Sequence, residues 1–241
     1  MISPRVLLLR AGVPSAELRA RVGDYPSWVA AAAGDQPATF TAVAAFEGEA
    51  LPDARDFDAV MMSGSPLSIT DFARTPWMQA AGRYVAEVVE RGQPFLGVCF
   101  GHQLLAQAMG GATRKNPCGR EIGTVEVRLT GAGRAHPILG KLAPLRFQAT
   151  HSDEVSALPP GAALLAENAH GVQAFAVGAR ALGVQFHPEL SPAALRAIIE
   201  SRKDALVAEG LYEAARDSVI DTPAGPSLLR AWLRSAAGLS L

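Results

Sequence analysis

The sequence predicts an α/β fold with a mostly parallel central sheet, helices on both faces and additional, partly antiparallel strands in the second half. Three observations predict it. The early strand candidates are short and continuously apolar, which is typical of parallel strands that are buried on both faces. Helical stretches separate these strands over the first hundred residues, as in βαβ units. After residue 120, short strand candidates follow one another with glycine turns between them, as in a meander.

The first half alternates strands and helices. Apolar or β-branched runs predict strands at 6–9, 39–46, 57–62 and 94–98. The stretches between and after them predict helices at 14–33, 76–89 and 104–109. In open parallel sheets the binding site lies beyond the carboxyl ends of the strands. The turn at 63–66 and the segment after residue 98 both follow such ends, so we expect functional residues in these two segments.

The second half predicts further strands at 123–129, 146–150, 164–166, 172–177 and 182–186. A helical remainder begins at residue 192 and is interrupted at 222–226. No internal repeat or linker is visible, so we expect a single domain over 1–241, with a motif-bearing core over 5–190 and a helical extension over 191–241.

Composition excludes several classes of protein. Of the 241 residues, 49% are hydrophobic and 19% are charged, which is ample material for a core and excludes a disordered chain. The formal net charge of −1 is not that of a nucleic-acid binder, which carries an excess of basic residues. The apolar run 6–9 is too short for a signal peptide, and no run approaches the ~20 residues of a membrane span. We therefore expect a cytoplasmic protein in which Cys99 and Cys118 are reduced thiols.

The segment 97–103, Gly-Val-Cys-Phe-Gly-His-Gln, joins a predicted buried strand to a predicted helix. Gly97 and Gly101 allow a tight bend and remove side chains from around Cys99, as in a nucleophile elbow. The thiol is then presented at a helix N-terminus, which favours a thiolate. A buried structural cysteine in a glycine-containing turn is the alternative interpretation of the same pattern.

A cysteine nucleophile needs a base, and the chain has five histidines. His187 ends a predicted strand, and Pro188 forces an extended exit, so Glu189 leaves the chain on the same side and can orient the imidazole. His102 lies on the new helix and is expected to point away from the thiol. His136 and His170 fall in predicted loops. The pair Cys99 and His102 lacks two further ligands at zinc spacing, so we expect no metal site.

Together these residues resemble class I glutamine amidotransferases. The segment 97–103 is similar to the nucleophile motif of that family, 184–189 to its His/Glu motif, and 63–66 to its oxyanion loop. Segments similar to GMP-synthase-like members lie at 119–123, 151–155 and 158–162. The resemblance covers residues 6–189 in register and implies a flavodoxin-like three-layer fold.

The resemblance also implies roles. Cys99, His187 and Glu189 would form the catalytic triad, and Cys99 would carry a γ-glutamyl thioester. The backbone N–H groups of Gly64 and Phe100 would form the oxyanion hole. Gln103 and the backbone near Ser152 and Asp153 would bind the glutamyl moiety, with no cofactor. The substrate would be glutamine or another small γ-glutamyl compound.

The destination of the released nitrogen stays open. The ATP-pyrophosphatase signature of full GMP synthases and a P-loop are both absent from the sequence. The chain could be a glutaminase subunit that passes ammonia to a separate synthetase, or a free-standing γ-glutamyl hydrolase, which we favour. A non-catalytic regulatory module of the same fold is a third hypothesis, against which the intact triad argues. No nucleic-acid or membrane partner is expected.

Overall fold

The computed structural model describes residues 3–239. The first half contains β1 Arg5–Leu9, α1 Ala16–Val22, α2 Tyr25–Ala33, β2 Thr39–Val43, β3 Ala59–Met62, α3 Pro76–Glu90, β4 Phe95–Val98 and α4 Phe100–Ala108. The second half continues with β5 Ala112–Lys115, β6 Glu121–Glu126, β7 Arg128–Leu129, α5 Gly131–Ala135, β8 Arg146–His151, β9 Asp153–Ala157, β10 Ala163–Asn168, β11 Gly171–Val177, β12 Ala181–Val184, α6 Pro192–Ser201, α7 Lys203–Ala208, α8 Tyr212–Ser218 and α9 Ala224–Ala236.

The central sheet has the strand order β2-β1-β3-β4-β12-β11-β10-β7. The five strands from β2 to β12 are parallel, and β12, β11, β10 and β7 pair antiparallel. The prediction of a mostly parallel sheet extended by antiparallel strands is therefore confirmed. Two antiparallel pairs, β5 with β9 and β6 with β8, stand beside this sheet.

Helices cover both faces of the central sheet. Alternating side chains of β1 point to opposite faces, so Leu8 packs with Val29 of α2 and Trp232 of α9, while Leu7 packs with Val85 of α3 and Leu105 of α4. Both strand residues are fully buried. The continuous apolar runs that predicted buried strands reflect this burial on both faces.

Two predictions in the first half need correction. The expected helix over 14–33 is two helices, because Gly23 at φ 80° ends α1 and Asp24 begins α2 with a capping box. The expected strand over 39–46 ends at Val43, after which a 3-10 turn begins at Ala45. Residues 57 and 58 likewise precede β3 rather than belonging to it.

The expected strand over 123–129 is divided between two sheets. Residues Glu121–Glu126 form β6 and pair with β8, whereas Arg128–Leu129 form β7 and pair with β10. The alternating pattern continues across the junction at Val127, so the sequence pattern carries no sign that the strand changes partner. The last predicted strand, 182–186, also ends early, at Val184.

The C-terminal part is helical, as predicted, and α9 begins inside the interruption predicted at 222–226. Helix α9 packs closely on the segment that follows β12: a Cβ on Gly225 would lie 2.9 Å from the Pro188 carbonyl oxygen. Within residues 3–239, no helix is both long and apolar enough to cross a bilayer.

Candidate active site

Cys99 lies in the turn between β4 and α4, at φ 51° and ψ −99°. Among residues 3–239 it is the only non-glycine residue with positive φ. Such a conformation costs of order 1–3 kcal/mol and persists only where the surroundings impose it. The residue is 5% exposed and lies at the N-terminus of α4, where the helix dipole favours negative charge.

The two flanking glycines permit close packing rather than positive φ. A Cβ on Gly97 would collide with the backbone carbonyl of Gly101, and a Cβ on Gly101 would lie 2.5 Å from the Met62 carbonyl oxygen. Strand β4, the first turn of α4 and the end of β3 therefore meet without intervening side chains. This packing holds the turn that presents Cys99.

His187 follows β12, the strand next to β4 in the sheet. Its backbone N–H donates to the Gln148 carbonyl at 2.8 Å, and the Cys99 N–H donates to the Val184 carbonyl at 2.8 Å. The imidazole Nδ1 lies 2.7 Å from Oε1 of Glu189, and both side chains are almost completely buried. The sheet thus brings Cys99 and the His187–Glu189 pair to the same edge.

Gly64, in the turn after β3, lies against both Cys99 and His187. A Cβ at this position would lie 2.7 Å from Cε1 of His187 and 3.6 Å from Cβ of Cys99. Any side chain here would displace the imidazole. The backbone N–H of Phe100, the first residue of α4, belongs to the helix-terminal groups that have no acceptor inside the helix.

The pKa of His187 reflects two opposing effects. Burial disfavours the charged imidazolium and lowers the pKa, but the negative charges of Glu189 and Cys99 outweigh it and raise the pKa to about 10. Nε2 of His187 is buried and has no hydrogen-bond partner within residues 3–239. An imidazolium held by Glu189, with Nε2 unoccupied, can give a proton to a reacting group.

A cavity of about 210 Å³, here called the thiol cavity, opens over Cys99. The predicted site residues that line it are Cys99, Phe100, Gln103, Ser152 and Asp153. His187 does not line this cavity. Five of the eight predicted site residues therefore line this cavity, and Gly64 and Glu189, like His187, do not.

Gln103 and Asp153 also hold the cavity wall together. Nε2 of Gln103 donates to the Asp153 carbonyl at 3.0 Å, which ties α4 to β9. The Asp153 carboxylate accepts from the Ser68 hydroxyl at 2.6 Å and lies 2.7 Å from Nζ of Lys115. Because the Gln103 amide and the Asp153 carboxylate already have partners within the protein, they help to fix the shape of the cavity.

His102 turns away from the thiol, as its position on α4 predicted. Its ring is fully buried and packs against Phe175, with 4.8 Å between ring centroids. Burial lowers the pKa of His102 to about 3. The side chain is therefore a neutral core residue at physiological pH.

The His102→Leu variant should lose less stability in acid than the wild type. The unfolded chain binds a proton at residue 102 below pH 6.5, whereas the folded protein does so only near pH 3, so acidification favours unfolding by about 1.4 kcal/mol per pH unit in that window. Urea unfolding at pH 7.0, 6.0 and 5.0 measures this slope. Parallel slopes for the two proteins would contradict a neutral buried His102.

The remaining histidines make polar contacts with neighbouring residues, and His151 also lines the thiol cavity. Nδ1 of His136 accepts a backbone N–H three residues further on, at 3.2 Å. His151 and His170 both lie beside Glu121, with ring nitrogens 2.7 Å and 3.3 Å from its carboxylate oxygens. Cys118 is exposed, and both cysteines are free thiols, as expected. No cluster of metal ligands occurs in the part of the chain that the structure describes.

Three residues near the site were not found from the sequence. The Thr150 carbonyl lies 3.9 Å from Sγ of Cys99, and the Thr150 hydroxyl accepts from Arg202 at 2.7 Å. Tyr25 of α2 is buried nearby, and burial, together with the charges of Cys99 and Glu189, raises its pKa. No local motif marks these residues, because distant segments of the chain bring them to the site.

The family model for class I glutamine amidotransferases matches residues 36–202, so the chain belongs to that family. The match begins after α2 and ends before α7. The family assignment made from the motifs is therefore confirmed.

Curated relatives agree with this assignment, and a solved structure has the same fold. The chain is 35% identical over 196 residues to a glutamine-hydrolyzing GMP synthase of Aeropyrum pernix, covering 78% of this chain and 33% of the relative. It is 34% identical over 140 residues to one subunit of the glutamine-hydrolyzing GMP synthase of Saccharolobus solfataricus, covering 56% of this chain and 69% of that subunit. A glutamine amidotransferase from Thermotoga maritima has the same fold, with a TM-score of 0.75 and 23% identity. The match covers 98% of this chain and 99% of the Thermotoga chain. The chain spans only a third of the Aeropyrum relative.

Proposed function

We propose that this protein hydrolyses the γ-amide of glutamine or of another γ-glutamyl compound through a thioester on Cys99. The observation that carries the proposal is the juxtaposition at Gly64. A cysteine in a strained turn and a buried His187–Glu189 pair, 2.7 Å apart, adjoin the same glycine beside a cavity. A nucleophile, a base and an orienting carboxylate are the parts of an acyl-transfer triad.

In the proposed reaction the Cys99 thiolate attacks the γ-carbonyl carbon, and an S–C bond forms. The backbone N–H groups of Gly64 and Phe100 hold the oxyanion, which stabilises the tetrahedral intermediate. His187 donates a proton from Nε2 to the leaving nitrogen as the C–N bond breaks. Water then gives a proton to the same Nε2 as its oxygen attacks the thioester carbon. The C–S bond breaks, which releases glutamate and restores the Cys99 thiolate. Glu189 orients the imidazole throughout.

A second candidate function is ammonia supply to a separate synthetase. Its support is the similarity to the Saccharolobus GMP synthase subunit, of which the chain covers 69%. In that case glutamine would be the preferred amide, and ammonia the product that matters. The same triad chemistry serves both functions, so the substrate distinguishes them.

Purified protein should release glutamate from at least one member of a panel containing glutamine and γ-glutamyl amides of amino acids and simple amines. Glutamate, ammonia and free amine are measured separately, with Cys99→Ala protein as the blank. Turnover of glutamine alone supports ammonia supply to a synthetase, and turnover of γ-glutamyl dipeptides supports a free-standing hydrolase. Absence of glutamate from every member contradicts the proposal.

A further inference from the structure

A second cavity of about 260 Å³ adjoins the thiol cavity on the side of His187. We call it the histidine cavity. The two share the wall residues Ser65, Pro66, Thr150 and Arg202. His187 lines the histidine cavity only, and Cys99 lines the thiol cavity only. The two cavities therefore adjoin, and each is lined by one of the two neighbouring reacting side chains.

The far wall of the histidine cavity is apolar. Leu18 of α1 and Trp28 of α2 face Leu190 and Ile198, which lies on α6. The indole N–H of Trp28 donates to the Val22 carbonyl, so its polar atom is satisfied within the helix pair. Leu18 and Trp28 precede residue 36, where the match to the family begins. The other two wall residues, Leu190 and Ile198, lie within the matched range.

Arg202 stands between the two cavities as a cation without a carboxylate partner. Its guanidinium donates to the Thr150 hydroxyl at 2.7 Å, and within residues 3–239 no carboxylate oxygen lies within 4.0 Å of it. The neighbouring Arg120, in contrast, is paired with Glu209 at 2.8 Å. Burial, with the nearby charge of Arg120, lowers the pKa of Arg202. A partly buried, unpaired guanidinium attracts a carboxylate from a ligand.

The chemistry of the triad assigns the two cavities to the two halves of a substrate. The acyl group must lie over Cys99, which places the glutamyl moiety in the thiol cavity. The leaving nitrogen must lie beside Nε2 of His187, because that atom donates the proton. Any group attached to the nitrogen then extends toward the histidine cavity. Ammonia, the leaving group of glutamine, would leave this apolar space unused.

We propose that the histidine cavity is a leaving-group subsite that takes an apolar amino acid, with its carboxylate on Arg202. The substrate class is then γ-glutamyl dipeptides with a side chain such as leucine or phenylalanine. This inference rests on the proposed function and deepens it. The cavity lies near the lower limit of about 300 Å³ for small-molecule sites, which fits one residue better than a longer peptide.

The first test compares kcat/KM for γ-glutamyl-leucine, γ-glutamyl-phenylalanine, γ-glutamyl-glycine and glutamine. The apolar dipeptides should exceed γ-glutamyl-glycine by at least about tenfold, since burying several methylenes in a pocket gives that discrimination. If glutamine is hydrolysed but the dipeptides show no such preference, the subsite is refuted while the proposed function stands. If no γ-glutamyl compound is hydrolysed, the proposed function itself fails.

The second test fills the cavity. In Leu18→Trp, the ratio of kcat/KM for γ-glutamyl-leucine to that for glutamine should fall by about tenfold or more, because the added ring occupies the space of the leucine side chain. Ala20→Trp adds the same ring at an exposed position of α1 and should keep the wild-type ratio. Ile198→Phe fills the cavity from α6, and the same ratio can be measured in this variant if Leu18→Trp folds poorly. An unchanged ratio in a folded filling variant overturns the proposal.

The third test concerns Arg202. Wild-type protein should prefer γ-glutamyl-leucine to γ-glutamyl-leucinamide, which lacks the carboxylate, by about tenfold. Arg202→Met should abolish this preference, and Arg202→Lys should restore part of it. If Arg202→Met instead slows all substrates by the same factor, glutamine included, then Arg202 serves the glutamyl moiety and its assignment to the leaving group is wrong.

Discussion

Cys99→Ala should abolish the release of glutamate from every γ-glutamyl substrate, with a loss in kcat of at least about 10⁴-fold, because the reaction has no other nucleophile at this position. Enzymatic detection of glutamate at high protein concentration measures the residual rate. A folded Cys99→Ala protein with wild-type turnover would contradict the mechanism. Absence of glutamate release from the wild-type protein as well would instead revive the hypothesis of a non-catalytic module.

The same position tests the backbone strain at the turn. Cys99→Gly should be more stable than Cys99→Ala by about 1 kcal/mol, because glycine adopts φ 51° without the penalty of a Cβ. Glycine elsewhere has the opposite effect: Ala106→Gly, within α4, should lower the free energy of unfolding by about 1 kcal/mol. Urea unfolding measures both. If Cys99→Gly is the less stable of the pair, the turn is not strained.

His187→Gln should lower kcat nearly as much as Cys99→Ala, because members of a triad act as a unit. KM for glutamine should change little, since His187 does not line the thiol cavity that would hold the glutamyl moiety. Steady-state kinetics separate the two parameters. A large increase in KM with kcat preserved would mean that His187 binds substrate rather than transferring protons.

Glu189→Gln is the matched comparison for this variant. It keeps the volume of the side chain and a hydrogen bond to Nδ1 of His187, but removes the charge that raises the pKa of the imidazole. Its loss should be smaller by about two orders of magnitude, as for the third member of other triads. A loss as deep as that of Cys99→Ala would show that the role of Glu189 is more than orientation.

Much of the fold followed from local patterns. The apolar runs that became β1, β3 and β4 are buried on both faces, and this burial accounts for their composition. The break at Gly23 was missed because the residues on both sides of it have a composition typical of helices. The change of partner between β6 and β7 was missed because alternation describes one half-buried face and not the identity of the neighbouring strand.

The candidate triad could be predicted because each member is marked by its neighbours in sequence. Gly97 and Gly101 flank Cys99 where backbones meet closely, and Pro188 separates His187 from Glu189 in an extended exit. Parallel strands place their carboxyl ends at one edge, so two such ends 88 residues apart, at 99 and 187, could be expected to meet. Gly64 was placed by resemblance, and its contact with both partners supports that placement.

By itself the sequence determined the family, the parallel sheet and the residues of the candidate triad, because turn chemistry and strand burial act over a few residues. Only the tertiary structure decided what surrounds the thiol. Leu18 and Trp28 come from the N-terminal helices, Thr150 from the end of β8, and Arg202 from the junction of α6 and α7. No spacing rule links residues that far apart, since their proximity depends on how whole helices pack across the sheet edge.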